Sequence, residues 1–110
     1  MSNHRRRDST EITYSVLKAA AGGQRKTRIM YQSALNLKQL NLYLQELVES
    51  DLLGYQPAGR FYFTTEKGRA FARAFEHIHE TKDLLREQER ALEKLLTARA
   101  KKTAAVEVQP

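Results

Sequence analysis

The sequence predicts a mainly α-helical chain: three helices and a two-stranded hairpin, followed by one long helix. Three observations carry this. Apolar residues recur at three- and four-residue spacing along most of the chain, the period of a helix face. One aromatic run, "RFYF", breaks that period directly after the turn signal "QPAG". From Glu66 to about Lys102 there is no proline, and the only glycine falls in the first turn.

The elements follow in order. "MSNHRRR" is polar and basic without apolar period, and reads as a disordered arm over residues 1–8. Asp8 or Ser9 N-caps the first helix, with Glu11 placed as in a capping box. Ile12, Val16, Ala19 and Ala20 form its apolar face, and the glycine pair 22–23 stops it. "KTRIMYQSA" predicts a short second helix capped near Thr27, with Ile29 and Met30 inward.

"NLKQLNLYLQEL" is ambiguous at first sight, because Leu40, Leu42 and Leu44 alternate as in a strand. That alternation breaks at Lys38-Gln39 and Gln45-Glu46. The series Leu37, Leu40, Leu44, Leu47 runs unbroken, so the segment is a third helix, N-capped by Asn36. The hairpin then turns at Pro57 to Gly59. Thr65 caps the last helix, which runs for roughly 35 residues or about 50 Å at the helical rise. Residues 103–110 are expected to fray.

The chain has 110 residues and no cysteine, which excludes disulfides and cysteine-based metal sites or nucleophiles. No apolar run is long enough to span a membrane. The formal charge is +6. Residues 1–73 carry 12 basic and 6 acidic side chains, and residues 74–110 carry 7 of each. The excess thus lies wholly in the first two thirds, which points that part towards a polyanion.

Three helices, a hairpin and a further helix is the order of a winged helix-turn-helix. "KTRIMYQSALNLKQLNLYLQELVESDLL" followed by "FTTEKGRAF" resembles the small archaeal winged-helix DNA-binding proteins that dimerise through a C-terminal coiled coil. Matching positions include Lys26, Thr27, Ile29, Met30, Tyr31, Leu35, Gln39, Leu40, Tyr43, Leu44, Leu47, Leu52 and the run from Thr65 to Gly68. The resemblance covers residues 9 to about 96, and the arm and tail lie outside it. It implies a homodimer on double-stranded DNA, nucleoid-associated or regulatory, and cytoplasmic. It also implies a DNA-binding domain over residues 9–64 and a dimerisation helix over 65–102.

With Leu37, Leu40, Leu44 and Leu47 inward, Lys38, Leu42, Gln45 and Glu49 share the opposite face of the third helix, flanked by Gln39 and Asn41. The early part of that face donates and accepts hydrogen bonds; the later part carries acids that repel phosphate. Its N-terminal half is therefore the part expected in a major groove. Leu42 either meets a thymine methyl or stays exposed as an ordinary surface leucine. Arg25, Lys26 and Arg28 surround the start of the second helix, where phosphate would sit. Thr27 reads first as a cap. Arg60, beside the hairpin turn, either reaches a minor groove or its phosphates, or pairs with an acid. Tyr31 and Tyr43 either hydrogen-bond phosphates or sit half-buried against the core, and the half-buried role is the one expected. Arg5, Arg6 and Arg7 either trail along DNA or do nothing specific.

On the long helix Phe71, Phe75, Ile78, Leu85, Leu92 and Leu96 follow a coiled-coil spacing, interrupted by Lys82 and Glu89. Antiparallel self-pairing about Asp83 and Leu85 lets those two charges meet opposite partners. His77 and His79 stand about 200° apart on a helix and cannot share an ion. No nucleophile–base set, phosphate loop, metal set or small-molecule site is legible, so the expectation is a non-enzymatic protein without cofactor. The competing reading is a protein-interaction module with a coiled-coil scaffold and no DNA role.

Overall fold

In a computed structural model the secondary structure is described for residues 7–106 and the side chains for residues 7–97. Arg5 and Arg6 lie outside the described residues. The elements are α1 (Ser9–Ala19), β1 (Gln24–Arg25), α2 (Lys26–Ser33), α3 (Leu37–Glu49), β2 (Leu53–Gln56), β3 (Phe61–Thr64) and α4 (Glu66–Val106). Two units are compact in themselves, Met1–Phe75 and Glu76–Pro110.

In the first unit Asp8 and Glu11 form the expected capping box, the Asp8 carboxylate accepting from the Glu11 N–H at 2.8 Å. Val16 and Leu17 of α1, with its C-cap Ala20, are buried against Ile29 of α2, Leu35, the α3 series Leu40, Leu44 and Leu47, and Leu53 of β2. Gly23 takes the left-handed conformation (φ 94°) after α1, which only glycine adopts without cost. The Thr64 hydroxyl donates to the Leu17 carbonyl at 2.7 Å and ties β3 to α1. No buried side-chain polar atom among the described residues lacks a partner.

The sheet has three strands in the order β1-β3-β2, not two. Gln24 pairs with Tyr62 and Arg25 with Phe61, so the segment before α2 joins the hairpin. Two residues carry no readable alternation, which is why this strand is invisible in the sequence. The hairpin turns as expected, Arg60 N–H donating to the Pro57 carbonyl at 3.2 Å.

Four expectations need correction. The N-cap of α2 is Arg25, with no side-chain cap bond, so Thr27 does not cap it. Tyr31 is 85% exposed rather than half-buried, because it lies on the face of α2 away from Ile29. Leu37 is 53% exposed; as the first residue of α3 it precedes the turn that enters the core at Leu40. Arg7 is not part of a free arm: its guanidinium donates to the Ser33 carbonyl at 2.9 Å and to the Ala34 carbonyl at 3.4 Å, closing the C-terminal end of α2. That end needs closing, because Ala34 adopts a left-handed conformation (φ 57°) without being glycine.

Thr65 does start α4, its hydroxyl accepting from the Gly68 N–H at 3.0 Å. Phe71 packs against the core and Phe75 stacks on Tyr14 with ring centroids 4.4 Å apart, which carries the first unit through the opening turns of α4. The helix continues through Val106, past the expected end near Lys102. In the second unit Ile78, Leu84, Leu85, Leu92, Leu95 and Leu96 are all between 52% and 67% exposed.

Candidate nucleic-acid interface

The outer face of α3 begins at a full capping box. Asn36 Oδ1 accepts from the Gln39 N–H at 2.8 Å, and Gln39 Oε1 accepts from the Asn36 N–H at 3.2 Å. Gln39 is therefore exposed, but its oxygen is engaged; its amide nitrogen is the group left to point outward. Lys38, Asn41, Leu42 and Gln45 are exposed, Leu42 by 62%. Gln45 Nε2 donates to Glu49 at 3.3 Å, so the late part of the face is occupied by its own acid.

Beyond α3 the surface runs on through two hollows. Asn41, Gln45 and Glu49 line the first, about 350 Å³, whose far wall is Tyr55 and Tyr62. Those rings are cross-strand partners 4.7 Å apart between centroids. The same two rings form one wall of the second hollow, about 470 Å³, lined also by Arg25, Lys26, Thr27 and Arg60. Among the described residues no acidic side chain lines it.

The local structure explains that gathering. Strand β1 runs directly into α2, so Arg25, Lys26 and Thr27 stand at the edge of the sheet. Arg60 closes the hairpin turn in the left-handed region (φ 54°), a conformation that costs a non-glycine residue about 1 kcal/mol. Burial, and secondarily the neighbouring Tyr55, raise the Tyr62 phenol above the usual tyrosine range, so it stays a neutral hydrogen-bonding group.

The structure thus brings Arg25, Lys26, Thr27 and Arg60 into one hollow, and Asn41 and Gln45 into the adjoining one. Arg28 lines not the hollow of Lys26 and Arg60 but a separate groove, which shares Arg25 and Thr27 with it. Tyr55 and Tyr62, which join the two hollows, were not singled out in the sequence. Their signal was the register of the hairpin, since Tyr55 and Tyr62 sit at equal distance from the turn. Among the described residues no group of three or more histidine, cysteine or acidic side chains is placed to hold a metal ion. No described helix is long and apolar enough to cross a membrane.

A three-helix head with a helix-loop-helix at α2–α3 and a β-hairpin after α3 is a winged helix-turn-helix. The chain belongs to a winged helix-turn-helix family, which it matches over residues 6–83. That is a family of binding domains, not of enzymes. No curated protein matches the chain at a significant level. Among solved structures it is similar to Sso10a-2, a DNA-binding protein from Sulfolobus solfataricus, at a TM-score of 0.69 and 24% identity, over 82% of this chain and 97% of that one. At this identity the likeness is one of fold.

Proposed function

We propose that the chain binds double-stranded DNA as a homodimer and catalyses nothing. The observation that supports this best is the pair of adjoining hollows that runs from Asn41 and Gln45, across the Tyr55–Tyr62 pair, to Arg25, Lys26 and Arg60. Amide and amine groups on the early turns of α3 suit base edges in a major groove, and the basic hollow suits the flanking phosphates. Arg60 at the wing turn takes the backbone or the neighbouring minor groove. Sso10a-2 is described as DNA-binding, which favours the same reading here. Few free base-reading groups, against several basic ones, favour low sequence preference: a nucleoid-associated role rather than control of a single operator.

The dimer reading rests on α4. Its apolar side chains Ile78, Leu85, Leu92 and Leu96 are more than half exposed among the described residues, and Leu84 and Leu95 broaden the stripe that the spacing outlined. A second copy pairing antiparallel would cover them. Phe71 and Phe75, expected in the same seam, are already packed within the first unit, so the proposed seam begins at Ile78.

The experiment is a salt titration of duplex binding. If each protomer neutralises three or four phosphates, log K should fall with log salt at a slope of about −5 to −7 for the dimer. Lys26→Ala and Arg60→Ala should each flatten it by about 1 per protomer. A flat response would turn the reading towards a protein-interaction module. Sedimentation at micromolar concentration should give a dimer, and Leu85→Lys a monomer with much weaker DNA binding.

A further inference from the structure

Adjoining the basic hollow at Arg25 lies a larger groove of about 890 Å³, within the ~300–1,000 Å³ range of ligand clefts. Neither the core nor the proposed duplex surface accounts for it. Its apolar lining is Met30, Phe61 and the ring of Tyr31, the most exposed of the large apolar side chains. Glycines supply much of the rest. A Cβ on Gly23 or Gly59 would press on the Phe61 ring, at 3.3 and 2.7 Å, whereas a Cβ on Gly22 would meet nothing within 4 Å. Bare backbone at Gly23 and Gly59 thus lies directly against the Phe61 ring, and beside Gly22 the space is open. Its charged lining is Arg25 and Arg28, without an acid.

Flat apolar and aromatic surfaces beside two guanidinium groups suit a planar aromatic ligand that carries an anion. A nucleotide is such a ligand: its base stacks on the rings and its phosphate meets an arginine. Arg25 and Thr27 line both this groove and the basic hollow. A strand whose phosphates lie in the hollow therefore passes the mouth of the groove. We propose that the groove receives one unpaired nucleotide of a bound DNA strand, its base against Tyr31, Met30 and Phe61 and its phosphate on Arg25 and Arg28. This deepens the DNA-binding reading and rests on it for the path of the strand. It makes the head a reader of interrupted duplex, which a plain groove-binding surface is not.

The test compares a fully paired duplex with one of the same length carrying a single unpaired 2-aminopurine, at fixed salt. The full-length protein should bind the interrupted duplex about tenfold more tightly, the order of one base–aromatic stack, and should quench the 2-aminopurine emission. Tyr31→Ala and Gly22→Leu should both abolish the margin and the quenching while leaving affinity for the paired duplex as it was. Tyr31 is exposed and a side chain at Gly22 has open space, so both variants should fold. Equal affinity for the two duplexes, or a margin that survives both substitutions, would overturn the proposal. So would thymidine monophosphate competing as well as a short thymidine strand, since the occupant would then be a free nucleotide. Binding to the interrupted duplex but not to the paired one would defeat the duplex reading and leave this one standing.

Discussion

Gly68 lies so close against Leu52 that a Cβ on the glycine would run into the Leu52 carbonyl oxygen, with Thr64 Cγ2 a further 2.6 Å contact. The same carbonyl already accepts from the Thr65 N–H at 3.1 Å, and the Thr65 hydroxyl lies 2.7 Å from the Asp51 carbonyl. Lys67 Nζ donates to the Ser50 carbonyl at 2.9 Å. The run "TEKG" is thus a clasp between the end of α3 and the start of α4. On an ordinary helix Gly→Ala gains up to about 1 kcal/mol. Here Gly68→Ala should instead lose about 1–3 kcal/mol through overpacking. Urea denaturation measures it; an unchanged or raised midpoint would show that the clasp yields freely.

Leu40 and Leu42 sit two residues apart on opposite faces of α3, one fully buried and the other exposed. Leu40→Ala should cost about 2–5 kcal/mol by leaving a cavity. Leu42→Ala should change stability by no more than about 0.5 kcal/mol and yet weaken duplex binding. Loss of stability from Leu42→Ala, or duplex affinity equal to wild type, would leave that leucine outside the interface.

Arg7 holds the last carbonyls of α2, so Arg7→Ala should lower stability by about 1 kcal/mol. Because its guanidinium is engaged there, the slope of log K against log salt should stay as in wild type. A flatter slope in the same variant would mean that Arg7 meets phosphate when DNA is bound.

Tyr62 gives a pH dependence with a definite sign. Its phenol is raised in the folded chain, so the folded state holds its proton to higher pH than the unfolded state does. The corresponding stability is fully present below the unfolded tyrosine value of about 10, and is lost as pH rises through the folded one. Thermal melts from pH 9 upward should show Tyr62→Phe losing less stability with pH than wild type. Parallel curves would assign the alkaline loss to other tyrosines.

Most of the fold was legible because its signals are periodic or chemical. The capping boxes at Asp8 and Asn36, the 3.6-residue series from Leu40 to Leu47 and the proline turn all read directly. What was not legible depends on distance in space. A two-residue strand has no pattern of its own and exists only because β3 is there to pair with it. Leu37 obeys the spacing but lies where the core is absent, and Tyr31 stands two residues from Ile29 on the opposite face of α2. Arg7 reads as part of a basic run, and only the fold brings it to the end of α2. The basic residues of the candidate interface were legible as charge. Their grouping was not, since Arg25 and Arg60 meet only through the sheet.

That short strand has a further effect on the geometry the head offers a ligand. Arg25 is at once a sheet residue paired with Phe61 of the wing strand, the N-cap of α2 and a wall of the basic hollow. The wing and the start of α2 consequently cannot drift independently, and the basic side chains on them hold a set spacing before any ligand arrives. The entropy of arranging those backbones is lost when the chain folds, so association is left with little more than the side-chain rotamers to order. Peptide amides in β1 and β3 should accordingly exchange their hydrogens together, as one opening unit.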